Sequence, residues 1–299
     1  MAVQGSPAVA RHRLRLALRK AREAKELTQG EVAASLDWSL SKLQRIEGGE
    51  NSVSPTDTRA LLQILGVTDA AVVDQLVNQA RQARKRGTWD DPRYRELLTP
   101  PMKTLIQFEN EAAVIRSFQT LLVPGPLQTP EFAEHLLAMW SDELTEEERA
   151  TRLEFRLSRR QILDRPTPPD YRAALDQGIL YRDVGGPRVF AGQLRYLLDS
   201  LRAQRIDLRI VPYRVPAVVT FILPFTLLSI DGDEDPILYR ESYLVDEIVT
   251  TPEKVQRHQQ LFDRIWQQSF SKERTVELLE ERIAELLEES DQEPPTRST

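Results

Sequence analysis

Between Leu27 and Glu47 the chain carries one helix-start signature twice, so closely spaced that only two short helices fit. Thr28 stands as an N-cap with Glu31 at the third helical position, which makes a capping box, and Leu27 and Val32 occupy the two positions of a hydrophobic staple. Ser39 is the next N-cap and Trp38 and Leu43 the next staple pair, so one helix ends near Leu36 and another begins at Leu40. A connection this short makes the two helices cross instead of lying antiparallel, which is the helix-turn-helix layout of a DNA reader.

Turning about 100° per residue along the second helix points Leu43 and Ile46 into a core. Ser41 then faces directly away, Gln44 and Arg45 flank it, and Leu40 sits at the edge of this face near the helix start. Arg matches the guanine edge and Gln the adenine edge in the major groove, each good bidentate pair discriminating by about 1–3 kcal/mol. Leu40 suits a thymine methyl, and Lys42 lies within reach of phosphate. Leu40, Ser41, Gln44 and Arg45 are therefore the base-reading candidates. Singly, such residues also describe the solvated face of any small helical bundle, but the doubled caps and the crossing geometry weigh against that reading.

The flanking residues complete a five-helix, all-α head over residues 11–87, behind a disordered stretch at residues 1–10. Residues 11–26 form a basic helix with Leu14, Leu18 and Ala21 on one face. Ser54 and Pro55 supply an N-cap and a first-turn Pro for a helix ending near Gly66, and Thr68 or Asp69 opens a fifth that buries Val72, Val73, Leu76 and Val77. Arg84, Lys85, Arg86 and Gly87 then make a basic end and a stop.

Through Leu27-Thr28-Gln29, Val32-Ala33, Trp38-Ser39, Leu43, Arg45-Ile46-Glu47 and Pro55, the head resembles the Xre-type, phage-repressor-like helix-turn-helix domains. That resemblance implies that Gln29 bonds a DNA phosphate, that the outward positions of the second helix read bases, and that Arg22 pairs with Glu47 as a structural ion pair. Thr28 and Ser39, at the two helix starts, join Gln29 and Lys42 as the phosphate candidates. The loop from Gly48 to Ser52 lacks the Lys or Arg often found there.

A chain of 299 residues, 40% apolar and 29% charged, has room for this head and a second globular domain. The net charge of −6 is unevenly spread: residues 1–90 hold 14 Lys and Arg against 10 Asp and Glu, leaving 26 against 36 for the remainder. A cationic head on an acidic body suits salt-sensitive binding to a phosphate backbone. The absence of Cys excludes disulfides and thiolate zinc sites, which fits a cytoplasmic protein. No signal peptide is visible. Residues 215–230 carry no charge but are interrupted by Pro216 and Pro224, and read as two buried strands instead of a membrane span.

From residue 88 to 290 the pattern predicts a larger α+β domain for sensing or dimerisation, followed by a disordered tail at 291–299. Helical patterns at 102–118, after Thr129-Pro130 and from Thr145 to about Asp164 come first. Strands at 171–176, 206–212, 221–230 and 237–241 follow, with a helix at 188–203, a hairpin turn over Asp231–Asp235 and two closing helices. Val123-Pro124-Gly125-Pro126-Leu127-Gln128-Thr129, Ser158-Arg159-Arg160-Gln161, Val184-Gly185-Gly186-Pro187 with Gln193-Leu194, and Ile237-Leu238-Tyr239 resemble the actinobacterial domain of unknown function of the Scr-type, antitoxin-like regulators. That resemblance implies control by a small partner protein encoded nearby. An alternative is a small ligand held in the apolar body around residues 211–228.

Enzyme motifs are lacking. A phosphodiesterase of the phospholipase-D type needs a His and a Lys two apart, whereas His12, His135 and His258 lack that spacing and read as helix-surface residues. No Gly-rich phosphate loop, paired-His metal motif or Ser elbow is present, and the Asp231–Asp235 cluster does not match a calcium loop. No cofactor or metal is expected. A head that reads a few base pairs needs a second copy, so a homodimer on a double-stranded operator is expected. Val276, Leu279, Ile283 and Leu286 step like a short coiled-coil seam and are one candidate for its interface; packing on their own domain is the other reading.

Overall fold

The computed structural model describes residues 5–87, 91–95, 97–139, 144–214, 223–232, 235–241 and 246–292. The chain divides into two compact units, Met1–Arg95 with Lys103–Glu111, and Glu96–Met102 with Ala112–Thr299.

The first unit contains α1 (Pro7–Ala24), α2 (Gln29–Ser35), α3 (Leu40–Glu47), α4 (Pro55–Ile64) and α5 (Ala70–Gln82). Each short helix starts on a side-chain cap: Thr28 in a full capping box, then Ser39, Ser54 with Pro55 behind it, and Asp69. The stops are equally local. Glu26 (φ 57°) and Asp37 (φ 53°) turn left-handed, so Leu27 N–H reaches back to Arg22 O at 3.2 Å and Trp38 N–H to Ala33 O at 2.9 Å. Leu27 and Trp38 thereby close one helix and staple the next. Both pack against the core of Leu14, Leu18, Val32, Leu43, Ile46, Leu61, Leu62 and Leu76. Val72, expected inside, is instead exposed, because α5 turns Leu76, Val77 and Ala80 inward.

Two boundary expectations are corrected. The first helix begins at Pro7, not residue 11, so residues 7–10 are helical and Ala8, Val9 and Ala10 are buried; residues 1–4 lie outside the described residues. The cause lies far along the chain. A short helix α6 (Pro92–Arg95) is followed by α7 (Pro100–Glu109), and Gln107 Oε1 accepts from Ala8 N–H at 2.9 Å while Glu111 accepts from Ser6 N–H. Lys103–Glu111 therefore belongs to the first unit, not to the domain predicted to begin at residue 88. His12, expected on a helix surface, is buried edge-on to Phe108, with ring centroids 5.2 Å apart.

The second unit is the expected α+β domain. Its strands are β1 (Val114–Gln119), β2 (Asp170–Asp176), β3 (Asp207–Val211), β4 (Phe225–Ser229), β5 (Ile237–Glu241) and β6 (Asp246–Val249), in the order β3-β2-β1-β4-β5-β6. β1, β2 and β3 pair in parallel with one another, while β4 pairs antiparallel with β1, β5 with β4 and β6 with β5. β1 lies where a helix over residues 102–118 was expected. Ala112, Ile115 and Phe118 mimic a helical period, but the residues from Val114 onward are central to a sheet, paired on both sides, and that pairing overrides the local pattern. β6 was not anticipated at all. The hairpin of β4 and β5 was, although residues 233–234 of its turn, 215–222 of the uncharged stretch and 293–299 of the tail lie outside the described residues. Of the predicted tail, residues 291 and 292 belong to the last helix.

Helices α8 (Pro130–Ala138), α9 (Glu146–Ser158), α10 (Gly186–Arg202), α11 (Pro252–Gln268) and α12 (Lys272–Gln292) complete the unit. On one sheet face Phe118, Ala174, Phe225, Leu227 and Leu238 pack on Phe262 and Ile265 of α11. The edge strand β3 is closed by the chain before and within α12: Phe270 N–H donates to Ile210 O at 2.9 Å and Thr275 Oγ1 accepts from Ile210 N–H at 3.3 Å. No helix among the described residues is long and apolar enough to cross a membrane.

Of the two readings of the α12 stripe, the structure shows packing on its own domain. Leu279, Ile283 and Leu286 are buried and Val276 half-buried within the unit, because the same helix face packs on α10 and β3. Leu279→Ala should therefore lower unfolding free energy by about 2–5 kcal/mol in urea, with the native mass by sedimentation equilibrium unchanged; a fall in mass would restore the seam to an interface.

Candidate nucleic-acid interface

The capping box and the left-handed stop set α2 and α3 four residues apart, Leu36 to Ser39, and the position of every candidate side chain follows from that. Along α3, Leu43, Ile46 and Glu47 are buried, whereas Ser41, Gln44 and Arg45 are exposed and Leu40 is 46% exposed. The four base-reading candidates thus share one solvent-facing surface. Ser41, Gln44 and Arg45 make no side-chain hydrogen bond or ion pair among the described residues, so their donors and acceptors are available to base edges.

The phosphate candidates differ: all four are engaged within the head. Thr28 Oγ1 accepts from Glu31 N–H at 3.2 Å, and both Thr28 N–H and its hydroxyl donate to the Glu31 carboxylate. Those bonds hold the Glu31 carboxyl below the usual carboxylate range. The cap is therefore complete above ordinary carboxylate pKa values and is lost as pH falls through the depressed one. Ser39 Oγ accepts from Lys42 N–H at 3.2 Å. Lys42 Nζ sits 3.4 Å over the Trp38 ring and 3.4 Å from Asp57, so its charge is partly neutralised at home.

Gln29 donates through Nε2 to Glu47 Oε2 at 2.7 Å. An ionised carboxylate only accepts, so it is the amide NH₂ that faces Glu47, and one of its two hydrogens remains for another acceptor. Arg22 meets the same carboxylate with two bonds, Nε to Oε1 at 2.7 Å and Nη2 to Oε2 at 3.0 Å, and its Nη1 donates to Leu27 O at 2.9 Å. The structure thus brings Arg22 and Glu47 together as a bidentate pair. The hydrogen bond to Glu47 is the chief cause that raises the Arg22 pKa above its ordinary value, so the guanidinium stays charged throughout the usable pH range. Arg15, which sequence reasoning missed, is buried beside this pair, with Nη1 3.4 Å from Glu47 O and Nη2 2.9 Å from His12 Nδ1. Gly49 (φ 80°) lies against it: a Cβ there would fall 2.9 Å from Arg15 Cδ. A run of basic residues in a helix gives no hint of which one turns inward.

Glu47 and Arg22 side chains are only 5% and 12% exposed. Glu47→Ala leaves the largely buried Arg22 guanidinium with the half-exposed Glu23, 3.7 Å away, as its remaining counter-charge among the described residues, and should cost the head about 3–5 kcal/mol in chemical denaturation. A loss below 1 kcal/mol would mean that the carboxylate does not organise these helices.

The apolar stretch proposed for a ligand offers no comparable geometry: Val211, Phe225 and Leu227 are packed on α11, and residues 215–222 lie outside the described residues. Among known proteins, a helix-turn-helix domain model matches residues 13–76, and a model described as a domain of unknown function (DUF5753) matches residues 102–281. No curated protein and no solved structure matches the chain. The first match covers the capped helices and the exposed face of α3, and marks a DNA-binding regulator. With the second match spanning more than half of its length, the chain belongs to the DUF5753 family, carrying a helix-turn-helix domain ahead of the family's domain.

Proposed function

We propose that this chain is a sequence-specific, Xre-type transcriptional regulator of the bacterial cytoplasm that reads an operator with α3 in the major groove. The observation that carries the reading is the contrast on one helix: Leu43, Ile46 and Glu47 are committed to the head, while Ser41, Gln44 and Arg45 are exposed and have no intrachain partner among the described residues. Arg45 and Gln44 carry the base discrimination and Leu40 adds an apolar contact. Gln29, oriented by Glu47, offers its second amide hydrogen to a phosphate, with Thr28, Ser39 and Lys42 around it. Lys42 reaches phosphate only by leaving Trp38 and Asp57, which offsets part of its attraction.

The regulator acts as a homodimer, because a single head reads too few base pairs and two heads need half-sites about 34–36 Å apart or a multiple of that. The acidic second domain controls the head through a small partner protein; what supports this is the Scr-type, antitoxin-like pattern of residues 123–129, 158–161 and 184–187. No enzymatic activity is assigned to it.

Genome-wide footprinting tests the reading directly. Arg45→Ala and Gln44→Ala should each lose about 1–3 kcal/mol of discrimination while keeping non-specific binding, whereas Gln29→Ala should weaken all duplexes alike and, because the amide carries no charge, leave the slope of the salt dependence unchanged. Retention of the wild-type footprint by Arg45→Ala and Gln44→Ala would overturn the assignment of α3. Co-purification with a small neighbouring protein tests the control mechanism.

A further inference from the structure

Beside the base-reading face of α3, one basic side chain is held by an acidic one from another helix. Lys42 and Arg45 stand three residues apart on α3 and are therefore neighbours on its surface. Arg45 has no side-chain partner among the described residues, whereas Lys42 has two. Its Nζ lies 3.4 Å from the centroid of the Trp38 ring and 3.4 Å from Asp57 Oδ2. Neither partner is loose. Trp38 is half-buried and packs against the core of the head, and Asp57 stands in the first turn of α4, where its N–H donates to Ser54 Oγ at 2.9 Å.

This pair does little for the fold. The Lys42 and Asp57 side chains are 38% and 37% exposed, and an ion pair open to water to that degree adds almost nothing to stability. The start of α4 favours a negative charge at Asp57, which keeps the carboxylate where Lys42 meets it. The larger effect of the pair falls on an approaching polyanion.

A duplex that takes α3 into its major groove brings phosphates along the flanks of the helix, within reach of Lys42. To donate to one of them, Nζ must leave both the ring and the carboxylate, and Asp57 is then unpaired next to the phosphate. Attraction by one cation and repulsion by one anion nearly cancel, so the pair as a whole releases almost no counterion. Gln44 and Arg45 are under no such restraint among the described residues. The grip on every duplex is thus reduced while the base contacts are untouched, which raises the ratio of specific to non-specific binding.

We propose that Asp57 is a positioning residue that lowers the affinity of the head for duplex DNA of any sequence by holding Lys42 off the phosphates. Trp38 supplies the fixed surface on which Lys42 rests while Asp57 holds it. This role presupposes the reading of α3 as the DNA-facing helix, and it adds the means by which non-specific binding is restrained.

Fluorescence anisotropy of the full chain on a random-sequence duplex, at several salt concentrations, tests this role. Asp57→Asn should bind about five- to tenfold tighter than wild type near 0.1 M salt, with the slope of log affinity against log salt steeper by about 0.9, the mark of one added phosphate contact. Made in a Lys42→Gln background, the same substitution should gain less than about twofold. Asp74→Asn, on the exposed side of α5, which packs on α1 and α4, removes an equal charge from the head and should leave the slope unchanged. Should Asp57→Asn lose helix content by circular dichroism, Asp57→Ser, also neutral and suited to a first turn, takes its place. An unchanged slope in the Asp57 variant, or a gain that survives in the Lys42→Gln background, would overturn the role of Asp57, while duplex binding by wild type would still uphold α3. Absence of binding to any duplex by every variant at low salt would instead overturn the DNA reading of α3, and the role of Asp57 with it.

Discussion

The carboxylate of Glu47 is the point on which the head turns. It ends the exposed helix, accepts two bonds from Arg22 of α1 and one from Gln29 of α2, and so ties three helices at a single group. Taking such a pair out of water costs roughly what the attraction returns, so its net contribution to stability is small. Its effect is geometric. An unpaired guanidinium or carboxylate at this depth is so unfavourable that only arrangements placing α3 against α1 and α2 in this way are tolerated. The left-handed stops at Glu26 and Asp37 set the spacing that lets the three groups meet.

From that constraint follows a division of labour on the surface. Residues suited to phosphate are held by neighbours in advance: Thr28 and Ser39 in caps, Gln29 on Glu47, Lys42 on Trp38 and Asp57. Residues suited to bases are left exposed. A phosphate can approach from many sequences, so preorganised contacts fix register without bias, while side chains with idle hydrogen-bonding groups lose most when the wrong base is opposite. In the proposed reading, specificity and grip are thus separated along a few residues.

In the second unit, motifs scattered through the sequence meet at one turn. Gln193 accepts from Thr129 N–H and donates to Leu127 O, both at 2.8 Å, and Gln128 Nε2 donates to Val123 O at 2.7 Å. The polar groups after β1 are therefore satisfied from inside the domain, and Gly185 (φ 80°) lets the start of α10 approach His135, where a Cβ would fall 2.7 Å from the ring. These bonds bring Val123, Leu127, Gln128, Thr129 and Gln193 together at one turn. Arg156 of α9 reaches the same turn, its Nη1 donating to Gln128 Oε1 at 3.0 Å.

Much of the head was legible because its determinants are local. Caps, staples and the outward face of α3 depend on residues within one or two turns of each other, and periodicity reads them directly. The Arg22 and Glu47 pairing was legible only through family resemblance, and Arg15 not at all, since nothing local distinguishes an arginine that turns inward. In the second unit the order of helices and most strands could be read, but β1 was hidden under a helical period and β6 under a short polar segment. Sequence alone determined where α2 to α5 start and which side of α3 faces solvent. Tertiary structure decided that Lys103–Glu111 joins the head, that the α12 stripe packs on α10 and β3, and that Arg156 of α9 reaches Gln128 after β1. Those outcomes depend on partners up to a hundred residues away, which no local pattern encodes.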